Sequence, residues 1–142
     1  MRFWDTSAVV PLVVDEPTSN ACLKLLRADR ALTVWSLTRT EVVSALQRKH
    51  REGSLDVEAT ERATRKLEQL TSAWVELSGI IEVRGHAERF LREHALRAAD
   101  ALQLAAAFVA VDGSPRNREF VVFDGNLAAA ARATGFTVTL PS

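Results

Sequence analysis

The chain is 142 residues long, which suits one domain spanning 1–142 and leaves no room for a second core of comparable size. Apolar residues at 47% and charged residues at 25% exclude a disordered polyelectrolyte, and 18 acidic against 18 basic side chains exclude recognition of nucleic acid by overall charge, leaving only local clusters. Cys22 is the sole cysteine, which excludes an internal disulfide framework and a cysteine-built metal site and makes a reducing cytoplasm the expected compartment.

Arg2-Phe3-Trp4 reads as a short strand that stops at Asp5-Thr6-Ser7, residue types suited to helix N-caps and tight connections. Asp5 also interrupts the opening apolar residues, so no signal peptide is expected, and no apolar stretch approaches the length of a membrane span. A short helix is predicted over 8–12 and a second over about 18–28, with Ala21, Cys22, Leu25 and Leu26 at helical spacing. The run 32–35 is a strand candidate. The stretch 36–38 then introduces a helix reaching about Glu52, with Val42, Val43, Ala45 and Leu46 on its apolar side. Gly53-Ser54 breaks it, and 55–72 carries an apolar stripe at Val57, Ala63, Leu67 and Leu70, so the two helices form an antiparallel hairpin.

A strand over 74–77 and a helix from Ile80 to about Leu91 come next, with Gly85 weakening the helical pattern. From 98 to about 111 only Asp100 and Gln103 interrupt an apolar run, the signature of a buried helix. Asp112-Gly113-Ser114-Pro115 is a loop. Phe120-Val121-Val122-Phe123 suits a strand buried on both faces, ending at Asp124-Gly125-Asn126; a helix over 127–133, a stop at Gly135 and a last strand over 136–138 complete the order. Strands alternating with helices imply an α/β domain: a three-layer α/β/α sandwich around a mostly parallel central sheet of about five short strands.

In such sheets the functional crevice lies at the carboxyl ends of the strands. Asp5 and Asp124 each stand between a strand and a helix, Glu41 lies in the first turns of the helix after the second strand, and Asp100 opens the buried helix, so all four can reach one rim. Each also has an ordinary explanation. Asp5 and Asp124 suit N-caps, Glu41 completes a Thr38-x-x-Glu41 capping box, and Asp100 sits near a positive helix end. Several carboxylates in one crevice would repel each other unless a cation joins them, and Mg²⁺ or Mn²⁺, which prefer carboxylate and water oxygens, is the simplest solution. Phosphodiester cleavage is the chemistry such a site serves.

The segments Phe3-Trp4-Asp5-Thr6-Ser7-Ala8, Thr40-Glu41-Val42, Ala99-Asp100-Ala101-Leu102-Gln103-Leu104-Ala105 and Val122-Phe123-Asp124-Gly125-Asn126-Leu127-Ala128-Ala129-Ala130-Ala131 resemble the four acidic motifs of PIN domains, in the order and spacing of VapC-type toxins, over essentially the whole chain. The resemblance implies a metal-dependent endoribonuclease, the toxin of a toxin–antitoxin pair. Asp5, Glu41, Asp100 and Asp124 would form its metal site, with Thr6 or Ser7 supporting the first acid and Asn126 the fourth. It also implies an RNA substrate and a cognate antitoxin whose tail occupies the groove. Gln103 departs from the family pattern, where many relatives carry His.

Arg97, three residues before Asp100, would orient substrate phosphate or neutralise the acids. Arg48-Lys49-His50-Arg51 reads as a solvated helix end complementing the dipole, with an RNA-backbone track as the competing reading. His50, His86 and His94 have no zinc spacing, and Cys22 and the three tryptophans read as core. The hairpin of 36–72 offers apolar side chains beyond what a small sheet can cover, which predicts a partner-binding surface and a homodimer. A haloacid-dehalogenase-type phosphatase would need a second Asp where Ser7 stands. The alternative that remains is a catalytically inactive PIN-like interaction module.

Overall fold

A computed structural model describes residues 1–123 and 125–140. In chain order these residues form β1 (Arg2–Trp4), α1 (Thr6–Val13), α2 (Ser19–Ala28), β2 (Leu32–Trp35), α3 (Thr38–Arg51), α4 (Val57–Ala73), β3 (Val75–Leu77), α5 (Ile80–Glu93), α6 (Ala98–Ala110), β4 (Glu119–Val121), α7 (Gly125–Thr134) and β5 (Thr137–Thr139). Among the described residues the five strands make one sheet in the order β3-β2-β1-β4-β5, with every pairing parallel. The chain winds outward in one direction from β1 through β2 to β3, then returns beside β1 as β4 and continues to β5. The strand order therefore reverses between β1 and β4, and the crevice that such a reversal opens lies beyond their carboxyl ends.

Alternation along the three inner strands, β2, β1 and β4, fills both faces. Phe3, Trp35 and Phe120 point into a core closed by α5, α6 and α7, whereas Trp4, Val34 and Val121 point into a second core closed by α1, α2, α3 and α4. Both sets are buried, which is why short apolar runs rather than half-polar ones code for these strands. Burial of each large side chain contributes about 1.5–3 kcal/mol, and three-residue strands persist because layers on both sides supply it. Arg2 Nε donates to Glu119 at 2.7 Å, joining the amino ends of the two central strands.

Several boundaries differ from the sequence reading, each for a local reason. The first helix starts at Thr6 rather than residue 8, because Asp5 is extended and its carboxylate accepts from Ser7 N–H at 3.0 Å as the N-cap. The fourth helix waits until Val57 for an equivalent bond from Ala59 N–H to Asp56, 2.8 Å. β4 spans Glu119–Val121, not 120–123, since Phe123 N–H donates to the Ser7 hydroxyl at 2.9 Å. The last strand starts at Thr137 because Phe136 N–H is used in closing the preceding helix onto Ala131 O, around Gly135 at φ 116°.

The apolar surplus expected on the 36–72 hairpin is present only in part. Val42, Ala45, Leu46, Ala63 and Leu67 are buried in the second core, whereas Leu37, Val43 and Val57 are exposed and Leu70 lines an apolar cleft beside α2. Among the described residues, no helix is long and apolar enough to cross a membrane.

Candidate active site

Asp5 follows β1 at the reversal point, and its N–H donates to Val121 O at 2.9 Å, so the backbone holds it beside the end of β4. Its side chain is buried, at 5% exposure. Burial pushes the Asp5 carboxyl up to about 6; hydrogen bonds from Ser7 and Thr6 oppose the shift, and the charge of Asp100 adds to it. The N-cap and site readings of Asp5 are thus both satisfied by one geometry. Ser7 has a second task, because its hydroxyl also receives Phe123 N–H and ties the start of α1 to the segment leading out of β4.

Glu41 projects from the first turn of α3 and is half-buried. Burial raises its pKa to about 7, hydrogen bonds from Gln103 and Thr6 lower it, and the charges of Asp5 and Asp100 raise it further. The three acids are therefore within electrostatic reach of each other although they come from β1, α3 and α6. Asp124 lies outside the described residues. The capping-box reading of Thr38 and Glu41 fails: α3 begins after Leu37 with no side-chain cap, and the Thr38 hydroxyl is fully buried against Gln103.

Gln103 is the group that sequence reasoning passed over. It is 0% exposed, and its Nε2 lies 2.9 Å from Glu41 Oε1, 3.0 Å from Thr38 Oγ1 and 3.1 Å from Thr6 Oγ1. Its Oε1 is buried without a partner among the described residues. The signal was present: Gln103 is the other polar residue of the apolar helix and lies one turn from Asp100, hence on the same face.

Two clefts flank the acids and meet at Glu41 and Arg48. One, about 650 Å³, is lined by Thr6, Ser7, Ser44 and Lys49; the other, about 940 Å³, by Arg97, Asp100, His94 and Asn126. Arg48 lies two turns after Glu41 on α3 and is exposed. Lys49 is paired with Glu16 at 3.0 Å, and His50 Nδ1 lies 2.9 Å from Leu55 O, so the basic run at the end of α3 divides between site and scaffold.

Among the described residues, no three His, Cys, Asp or Glu side chains are grouped closely enough to hold a metal ion by themselves. The donor set nevertheless fits an oxygen-seeking divalent cation. It consists of carboxylates without thiolate, and two of them are held at raised pKa by burial and by neighbouring acids, a strain that a positive charge would relieve.

The PIN domain family model matches residues 2–133. The chain belongs to the PIN-domain family. No curated protein matches it at a significant level. Several solved structures resemble it over most of their length. These include VapC20 of Mycobacterium tuberculosis, described as a sarcin-ricin loop cleaving toxin (16% identity, 92% of this chain and 95% of that one, TM-score 0.68), and a toxin–antitoxin complex from Klebsiella pneumoniae (16%, 100% and 98%, 0.69). FitAcB of Neisseria gonorrhoeae is similar to the same degree (16%, 99% and 98%, 0.68). At such identities these likenesses establish the fold, and this PIN domain's own residues must carry any reading of its chemistry.

Proposed function

We propose that this PIN domain is a metal-dependent endoribonuclease and the toxin of a toxin–antitoxin pair. The observation that carries the reading is the convergence of Asp5, Glu41 and Asp100 beyond the carboxyl ends of β1 and β4, with two of them at raised pKa. Asp5, Glu41, Asp100 and Asp124 are assigned to hold Mg²⁺, for which Mn²⁺ would substitute. Bound there, the cation would supply an activated water and counter-charge for the leaving oxygen. Ser7 and Thr6 keep the Asp5 carboxyl in place through the hydrogen bonds described above, and Asn126 stands at the rim where it can reach substrate. Arg48 and Arg97 line the clefts on either side of the acids and are assigned to RNA phosphates, for which the guanidinium fork is suited.

The toxin–antitoxin complex from Klebsiella pneumoniae among the structural neighbours supports an antitoxin as partner. The groove for its apolar segment is assigned between α2 and α4, where Leu12, Leu23, Leu26, Leu70 and Trp74 line a cleft of about 500 Å³ edged by Arg27, Arg30 and Lys66. A homodimer and a cytoplasmic location belong to the same reading.

Cleavage of total cellular RNA in Mg²⁺ tests the catalytic assignment. The native protein should cut and Asp5→Asn should not; equal cleavage by both would refute the site, and no cleavage by the native protein freed of partner would favour the interaction module.

A further inference from the structure

We infer that Gln103 is a positioning residue that sets the orientation of the Glu41 carboxylate, and that its uncharged amide tunes how tightly the acidic site takes a divalent cation. The inference rests on the metal assignment above and adds to it a residue outside the four acids.

The geometry is specific. Gln103 Nε2 touches three oxygens on two helices: Thr6 at the start of α1, Thr38 at the start of α3, and Glu41 one turn later on α3. The two amide hydrogens are shared among these three oxygens, so the hydroxyls of Thr6 and Thr38 fix the plane of the amide while a hydrogen is directed at Glu41 Oε1. Engaged there, Oε1 turns the other carboxylate oxygen away from the amide. Gln103 and Asp100 share a face of α6, so one helix carries both an acid of the site and the donor that orients another acid.

The kind of donor also matters. A Lys or Arg in this place would neutralise Glu41 and compete with a cation, whereas an amide holds the carboxylate by a hydrogen bond without adding charge. The full burial of Gln103, with Oε1 unpartnered among the described residues, argues against a packing role alone, because an apolar side chain of equal size would fill the space without leaving an orphaned acceptor.

The test uses the full chain freed of metal, with Mn²⁺ affinity measured by calorimetry and folding followed by thermal unfolding. Gln103→Met keeps the volume and removes the donor; Gln103→His keeps a ring N–H. Met should weaken Mn²⁺ binding by roughly 10–100-fold, as expected for loss of a hydrogen-bond partner behind a metal ligand, and His should recover most of that loss. In a Glu41→Ala background the Met substitution should cost less than about two-fold, because its target is gone.

Native-like Mn²⁺ affinity in Gln103→Met would overturn the positioning role and leave the metal assignment standing. An undiminished loss in the Glu41→Ala background would also overturn it, by showing that Gln103 acts through packing. A native protein that binds no Mn²⁺ would instead bring down the metal assignment and this inference together. If Gln103→Met fails to fold, Thr38→Val, which releases one anchor of the amide, should weaken Mn²⁺ binding by a smaller factor; unchanged binding there would count against the proposal.

Discussion

The crevice beyond β1 and β4 and the groove between α2 and α4 are both open to solvent, but they are lined in opposite ways. The groove is walled by leucines and Trp74, with basic side chains at its edge, and in the isolated chain it costs only the exposure of some apolar surface. The crevice confines like charges. Asp5 is buried, and Asp5 and Glu41 are both pushed toward protonation by burial and by their acidic neighbours. The first region is an ordinary place for a partner's apolar segment; the second is a place where stability has been given up, the usual mark of a functional site.

The largest expected effect separates the two most sharply. Asp5→Asn should reduce RNA cleavage by more than about 100-fold, since even partners behind a metal ligand typically contribute 10–100-fold. The same substitution should raise the thermal midpoint of the metal-free protein near neutral pH, because it removes a buried charge while leaving an acceptor for Ser7 N–H. A variant that lost activity and stability together would break the comparison.

In the groove, Leu26→Asp should weaken antitoxin binding by about 30-fold or more, as for an interface hot spot, and leave cleavage by the free toxin within about two-fold. Parallel measurement of antitoxin affinity and RNA turnover checks it, and a matching loss of both would show that the regions are not independent.

The pH dependence of stability between the ordinary carboxylate range and neutrality should come chiefly from the crevice. The folded-state pKa values of Asp5, about 6, and Glu41, about 7, lie above their ordinary values of 3.8 and 4.5, so the folded state holds these protons more tightly. Their stabilising effect is complete below the ordinary carboxylate range and is lost as pH rises through about 6 and then about 7. Thermal unfolding in a chelator should therefore show the midpoint falling by roughly several degrees across that interval, and Mg²⁺ should restore it most at the upper end. A midpoint that rose with pH would contradict the proposed strain.

The smallest effect concerns the basic run on α3. Arg48→Ala should raise KM for RNA by about 3–10-fold with little change in kcat, and flatten the salt dependence, whereas Lys49→Ala should do less because Lys49 is already engaged by Glu16. Steady-state kinetics at two salt concentrations distinguishes them.

Much of this arrangement was legible in the residues. Strands buried on both faces announce themselves as unbroken apolar runs, and the order of elements leaves few topologies once parallel crossovers are required. The positions of Asp5, Glu41 and Asp100 on those elements were enough to place them near one rim. Boundaries were less legible where a side chain or cap takes the backbone group that a strand would use, as Ser7 does at Phe123 and the Gly135 turn does at Phe136. The role of Gln103 was hidden for another reason. A buried amide in an apolar helix is conspicuous, but its three partners come from segments 62 to 97 residues away, and only the folded chain brings them within reach. The extent of the hairpin's open apolar surface was hidden by the same limit, since an apolar stripe does not state how many layers will cover it.

The pairing of β1 with β4 has a consequence for the growing chain. Arg2 and Glu119 are 117 residues apart, and the inner strand that leads into Asp5 gains its neighbour on one side only after that length of chain has been synthesised. Contacts this distant form late and slowly. An emerging chain therefore lacks one wall of its acidic crevice until β4 has followed, and the site closes only after long-range pairing is complete.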